Sequence, residues 1–311
     1  MSLSSSLSSP SSVSHRSDPP FPRAELDLPA AGSGRTAERW SRLASWGRVD
    51  LPRARLAEGH VDALTVLREA GAEPVPGALY GVWAARSGGT GAMLADGRLT
   101  GLVRFCSGAQ RIDRALVVAA APEGSRIVDV DLARPGVTPR PGAWQAAAMR
   151  ASDTEDVEFD LAVSETIGAP GFYTARPGFW WGGAGVAAVW LGGARGIVDA
   201  LHSELSDPDA HQLAHLGALH ASLAAAEALL ERTAAAIDAD PTRSHRDAAW
   251  TLRAAVERTC RDVLDLVPRT AGVAVLSAGL ADRLADLGMY VRQHHGERDL
   301  AALGDAVRGS R

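Results

Sequence analysis

Two short stretches of the chain carry side chains with chemical potential. Near the end, "HHGERD" sets His294, His295 and Glu297 close together. An imidazole titrates near neutrality and can act as a general base, and a nearby carboxylate can do the same. A solvated helix end with dipole-compensating charge accounts for the same residues. Earlier, Phe105-Cys106-Ser107-Gly108-Ala109 connects two apolar runs without a charge or a proline. Phe105 offers an aromatic wall and Ser107 a hydroxyl, although a tight β connection around a half-buried cysteine explains them equally well.

Other candidates have less behind them. His211 and His215 stand four apart with His220 beyond, but no Glu lies between them in the HExxH manner and no cysteine joins them, so no metal site is expected. The Gly-rich Gly88–Leu94 stretch lacks the Lys-Ser/Thr of a phosphate loop and reads as a flexible strand connection. No GxGxxG follows a strand, and neither Ser107 nor Ser277 has the G-x-S-x-G context of a hydrolase.

The elements that must position these residues belong to a globular chain. With 311 residues and 46% hydrophobic composition, it has material for a sizeable core. A net charge of −5 and the lack of any Arg-dense helix argue against nucleic-acid binding. Cys106 and Cys260 lie far apart with no CxxC, which predicts neither disulfides nor zinc and fits a reducing cytoplasm. The uncharged Pro177–Ala194 segment falls short of the roughly 20 residues of a membrane span. Its six glycines suit close helix packing instead.

The pattern along the chain changes twice. Residues 1–35 read as a disordered Ser/Pro-rich tail. Residues 36–77 are helical, with Thr36 and Glu38 opening one helix and Leu56, His60, Ala63, Leu64 and Leu67 marking the apolar face of the next. Residues 78–175 show the strand period, with turns such as Ala95-Asp96-Gly97, and predict an antiparallel β domain. Residues 176–311 return to helix in four or five stretches, broken at Asp207-Pro208, Asp240-Pro241 and near Gly272 and Gly288. The expected fold is therefore α+β and multidomain: a short N-terminal helical segment, a middle antiparallel β domain and a C-terminal helical bundle.

This order resembles the acyl-CoA dehydrogenase family. That family's middle domain carries a G-x-K-x-W-I-[TS]-N-G segment along the flavin ring, and Gly101 to Ala109 matches its frame, with Phe105 in the aromatic place and Ser107 in the hydroxyl place. "MRASDTEDVEFDLAVS" resembles the close of the family's β domain, and "GFWWGGAGVAAVWLGGARGIVDALHSEL" its first long bundle helix. "LADLGMYVRQHHGERDLAAL" takes the place of its terminal helix and catalytic loop. The resemblance spans roughly residues 40–305. It implies FAD as cofactor, with Phe105, Ser107 and Trp83, on the strand of the family's flavin-edge stretch, as ring-binding residues. A flavin slot asks for flat apolar walls and a few hydrogen-bond donors, and this turn supplies them.

The chain also departs from the family. The family base, a Glu near the C-terminus, is replaced by His294, with Asp286 on the family's Asp and Ala285 on its Arg. Glu297 is the nearest displaced carboxylate. The alternative Glu position on the first bundle helix falls near Gly182 or Gly183. No arginine occurs between Arg195 and Arg232, where the family's pyrophosphate clamp would lie. The N-terminal helical part is abbreviated. A histidine at about position 294 also resembles the flavin monooxygenases of this fold.

The reading implied is a cytoplasmic FAD-dependent oxidoreductase dehydrogenating an acyl thioester or related small molecule, with His294 and Glu297 as candidate catalytic residues. The alternatives are a non-catalytic subunit of the same fold and a flavin-dependent monooxygenase. The resemblance further implies a homodimer or homotetramer, an electron-transfer flavoprotein as a possible partner, and no nucleic acid or membrane span. Trp180 and Trp181 are expected to close a substrate tunnel.

Overall fold

The structure is a computed structural model that describes residues 19–309. Helix α1, Thr36–Val49, begins where the Thr36 N–H and hydroxyl donate to the Asp238 carboxylate at 2.9 and 2.6 Å. Helix α2, Leu51–Glu69, follows at once. Asp50 accepts from Arg53 N at 2.8 Å and Pro52 occupies the first turn, so the cap and the ring constraint start this helix together. It ends at left-handed Gly71, past which Ala72 N donates back to Leu67 O at 2.9 Å.

Eight strands form one sheet: β1 Tyr80–Trp83, β2 Gly91–Ala95, β3 Arg98–Cys106, β4 Arg114–Ala121, β5 Gly124–Asp131, β6 Val137–Arg140, β7 Glu155–Val163 and β8 Glu165–Ile167. Their order is β6-β7-β3-β2-β4-β5-β8. The sheet is mixed, which corrects the antiparallel expectation. Both β1 and β2 pair with β4 in parallel, β1 along 114–117 and β2 at 119–120. They run in line along one edge of β4, and the loop between them is expelled from the sheet. The Asp96-Gly97 turn, with φ of 48° and 70°, returns the chain antiparallel into β3 as expected.

After the short helix α3, Phe172–Ala175, come α4 Gly178–Glu204, α5 Ala210–Ala239, α6 Arg246–Thr270, the single turn α7 Val273–Val275, α8 Ala281–Tyr290 and α9 Glu297–Gly309. The break expected near Gly288 lies instead at Gly279. Its φ of +105° kinks the chain before α8, whereas Gly288 sits inside that helix.

Helix α4 is the centre of the bundle. A Cβ at Gly192 would lie 1.9 Å from Ala44 O, and one at Gly47 would lie 2.2 Å from Val189 O. The glycines thus let α1 and α4 meet backbone to backbone. By length and composition α4 and α5 are both apolar enough to cross a membrane, with 83% of the most apolar window buried inside the protein in α4 and 22% in α5.

The expected disordered tail needs correcting where it is described. Residues 1–18 lie outside the described residues. Residues 19–35 pack as a strap: Phe21 stacks on Trp46 with ring centroids 5.3 Å apart, Leu26 is buried, and Arg53 Nε donates to Pro20 O at 2.7 Å. Phe21 and Leu26, with Leu28 and Ala31 packed at the edge of the same core, hold this Pro-rich stretch against the helices.

Candidate functional site

The turn that follows β3 is built against a second loop. Gly108 N donates to Ser152 O at 2.9 Å, Ala109 N to Asp153 O at 3.0 Å, and Gln110 N to Asp153 Oδ2 at 2.6 Å. Three non-glycine residues here hold left-handed backbone: Phe105 at φ 61°, Met149 at 57° and Asp153 at 48°. Such conformations cost free energy and persist where surrounding contacts fix them.

Phe105, at 45% exposure, is one of the exposed large hydrophobic residues. Its ring meets Trp144 edge to face at 6.5 Å, and the Arg104 guanidinium lies 4.8 Å from its centroid. Asp156 holds both neighbours, accepting from Phe105 N at 3.4 Å through one oxygen and facing Arg104 Nε at 3.4 Å through the other.

Ser107 is half-buried and heads a hydroxyl chain. Its Oγ lies 3.0 Å from Thr154 Oγ1, which is 2.8 Å from Ser152 Oγ, which donates to Met149 O at 2.7 Å. Trp83, expected at the ring edge, is instead buried beneath the turn, where its indole N–H donates to Ser107 O at 3.1 Å. It fixes the turn from below and presents no open face. The Cys106 thiol is buried, which pushes its pKa well up and leaves it unreactive. The bundle is tied to this region by Asp286 on α8, whose carboxylate accepts from Met149 N.

A second polar region lies between helices. The Leu56/His60/Ala63/Leu67 face of α2 packs on the sheet as expected, with Ala63 and Leu67 in a cluster with Tyr80, Leu116 and Ile127. His60 Nδ1 accepts from Tyr80 N at 3.1 Å. Burial holds this imidazole neutral, its pKa lowered to about 4.

The opposite face of α2 is polar, with Arg55 and Glu58 enclosed, Asp62 half-buried and Glu69 at its more exposed end, the three carboxylates beside α4. Arg55 pairs with Glu58 at 2.9 Å, and Arg176 pairs with Glu69 at 2.7 Å and with Asp62 at 3.5 Å. Glycines on α4 make the room. A Cβ at Gly182 would lie 2.8 Å from Asp62 Oδ1, and one at Gly178 would lie 2.3 Å from Glu69 Oε1. So α2 supplies a carboxylate beside the position where a residue-182 side chain would project. Burial pushes the Glu58 carboxyl up to about 7, with Arg55 opposing. The cavity beside Glu58, Asp62 and Trp181 is about 10 Å³, room for a single water.

His294 follows the single turn Val291–Gln293 and is buried, while His295 next to it is exposed. Neither ring nitrogen of His294 has a hydrogen-bond partner; Nδ1 lies 3.5 Å from Asp299 Oδ2 on α9. Burial, then the Arg253 guanidinium, lowers its pKa, so the ring is neutral at pH 7. Arg253 itself donates to Gly183 O at 2.6 Å and Gln293 O at 2.9 Å. Glu297 is exposed in the first turn of α9.

Trp181 is buried beside the small cavity, and Trp180 packs edge to face on Trp250 at 5.2 Å; the tunnel they were expected to close is, beside Trp181, a single-water void. Among the described residues no group of three or more His, Cys, Asp or Glu is placed to hold a metal, and His215 instead meets Thr270 Oγ1 at 2.9 Å.

Sequence reading missed the buried ion pairs of α2. Their signal was the 55, 58, 62, 69 spacing, which puts four charges on one helix face. It also missed Thr154, Ser152 and Trp144, which reach the turn only through the fold.

No protein-family model matches the sequence, and no curated protein sequence matches it. Solved structures do match in fold. TdsC of Paenibacillus sp. A11-2, a dibenzothiophene monooxygenase seen with FMN and indole, superposes with a TM-score of 0.74 at 20% identity, over 89% of this chain and 84% of that one. Methanesulfinate monooxygenase MsuC of Pseudomonas fluorescens gives 0.74 at 18% identity over 94% and 86%. An electron transferring flavoprotein structure of Acidaminococcus fermentans gives 0.76 at 15% identity over 92% and 85%. The chain therefore has an acyl-CoA dehydrogenase-like fold.

Proposed function

We propose that the protein is a flavin-dependent oxidoreductase and, within that class, a monooxygenase of small molecules. The observation that carries the finer reading is His294. It takes the position that the family resemblance gives to a carboxylate base, and it is a buried, neutral imidazole with both nitrogens unpartnered. The space beside Gly182, the other carboxylate position, admits about one water, which leaves no slot for an acyl chain there. The similarity in fold to TdsC and MsuC supports the same reading.

The exposed turn suits a flat heteroaromatic ring. Phe105 and Trp144 would wall it, and the Ser107 hydroxyl, already oriented by Thr154, would donate to it. A bound flavin supplies two-electron transfer and, when reduced, reaction with oxygen. His294 would hold or accept a proton, its neutral ring being ready to do so near pH 7.

The test uses protein loaded with FMN or FAD. Under anaerobic conditions a short-chain acyl-CoA leaves the 450 nm band intact, while supplying reduced flavin in air gives oxygen uptake that falls in His294→Ala. Bleaching by the acyl-CoA would return the dehydrogenase reading.

A second reading has its own support. With the cavity beside Gly182 closed and no arginine between 195 and 232, the chain would serve as a fold-retaining, non-catalytic subunit. Such a protein takes up no flavin.

A further inference from the structure

Helix α6 turns a half-buried cation toward α4 without a carboxylate to meet it. Arg253 forms no ion pair among the described residues; Nη1 donates to Gly183 O on α4 at 2.6 Å and Nη2 to Gln293 O at 2.9 Å. Its guanidinium lies 4.7 Å from the Trp190 ring centroid. Two carbonyl dipoles and an indole face thus stand where a counter-ion would, and Asp299 and Glu58 attract the charge only from farther away. Desolvating a guanidinium on these terms costs more than burying an apolar side chain of similar volume.

Its contacts converge on His294. The peptide that joins Gln293 to His294 is planar, and both of its polar groups are engaged: its C=O accepts from Arg253, and its N–H donates to Val291 O at 2.9 Å. That fixes the backbone from which the side chain projects. The imidazole makes no hydrogen bond, so only packing and this backbone decide where it points. The charged groups that face the ring are Arg253 and Glu257 on α6, Asp299 on α9 and His295 in its own turn. Asp299 and Glu257 favour a protonated ring, and Arg253 opposes them.

We propose that Arg253 is the positioning residue for His294, holding the Gln293–His294 peptide against α4 and so aiming an imidazole that makes no hydrogen bond of its own. Its charge adds a second effect, because the cation helps keep the ring neutral beside two carboxylates. The consequence for turnover rests on the reading of His294 given above; the consequence for the ring does not. Lysine keeps the charge but lacks the planar fork that reaches two carbonyls on separate elements, and methionine removes both.

Three measurements on full-length wild type, Arg253→Lys and Arg253→Met separate aim from charge: labelling of His294 by diethyl pyrocarbonate, its imidazole titration by NMR without flavin, and oxygen uptake with supplied reduced flavin. His294→Ala identifies the His294 signal. In wild type His294 is protected and titrates below the ordinary histidine value. Both variants should label it about tenfold faster, since the turn is released. The titration should rise in both and rise further in Arg253→Met, where Asp299 and Glu257 go unopposed, and the low-pH limb of kcat should move up with it. The kcat itself should fall about tenfold or more in each, with KM for reduced flavin changed less than about twofold. A His294 that stays protected in both variants overturns the proposal, and so does one that titrates identically in Arg253→Lys and Arg253→Met, the mark of loosening alone. Should Arg253→Met not fold by circular dichroism, Arg253→Lys decides, a protected His294 with full kcat being the contrary result. A wild type that takes up no oxygen, with His294 still released and shifted in the variants, would sink the flavin reading and leave the positioning role standing.

Discussion

The turn at Phe105 and the space between α2 and α4 are two polar regions that treat their polarity in opposite ways. Between the helices, Arg55 pairs with Glu58 and Arg176 with Asp62 and Glu69, and the space beside them holds about one water. At the turn, Phe105 is exposed in left-handed backbone, Ser107 keeps a hydroxyl within reach of the surface, and Arg104 has unused donors. Ion pairs closed on themselves are costly to break from one side, whereas an open, strained turn keeps groups available to a ligand. The proposed function accordingly puts the flavin ring at the sheet turn, with His294 of the helical part as its proton-handling group, and leaves cohesion to the ion pairs between α2 and α4.

The largest effect expected from breaking this division is Arg176→Met. Its side chain is 1% exposed, and its loss removes the ion-pair partner of the partly exposed Asp62 and Glu69 side chains. A loss of about 2–4 kcal/mol in the unfolding free energy from urea titration is expected, with flavin affinity unchanged for whatever protein remains folded.

Next are two residues on opposite faces of α2 whose pH effects oppose each other. The folded-state pKa of Glu58 is raised to about 7, so its contribution is present below the ordinary carboxylate range and is lost as pH rises through about 7. His60 is lowered to about 4, so its contribution is present above 6.5 and is lost as pH falls toward about 4. Glu58→Gln should therefore give a melting temperature that rises relative to wild type from pH 4 to 7. His60→Gln should give one that falls relative to wild type over the same range. The change in slope should be on the order of 1–3 kcal/mol across that window in each case.

The smallest effect on stability sharpens the comparison most. Phe105→Gly relieves a left-handed non-glycine residue and should cost nothing or stabilise by about 1 kcal/mol, while weakening flavin binding severalfold. A purely structural Phe105 would lose stability instead.

Much of this was legible in the sequence where the signal was local. The Asp96-Gly97 hairpin, the long glycine-bearing α4 and the apolar face of α2 follow from period and turn chemistry. Strand β2 was hidden by Gly91 and Ala92 in a short run read as a connection, β6 by Pro139 on an edge, and β8 by its three-residue length. Parallel pairing of β1 and β2 with β4 depends on contacts distant in sequence, which no local pattern encodes. Adjacent His294 and His295 have opposite burial because the single turn at Val291–Gln293 sets which one faces inward, and two neighbouring histidines carry no sign of that. Phe105 and Ser107 were found through a family frame, whereas their neighbours Trp144 and Thr154 reach the turn only through the fold.

The measurement that bears most directly on the account is the visible spectrum of the purified protein after incubation with FMN or FAD and desalting, for wild type and Phe105→Gly. The account predicts flavin bands near 370 and 450 nm that survive desalting in wild type and diminish in the variant. A wild-type protein that emerges colourless from both flavins would contradict it and leave the sheet turn without its proposed ligand.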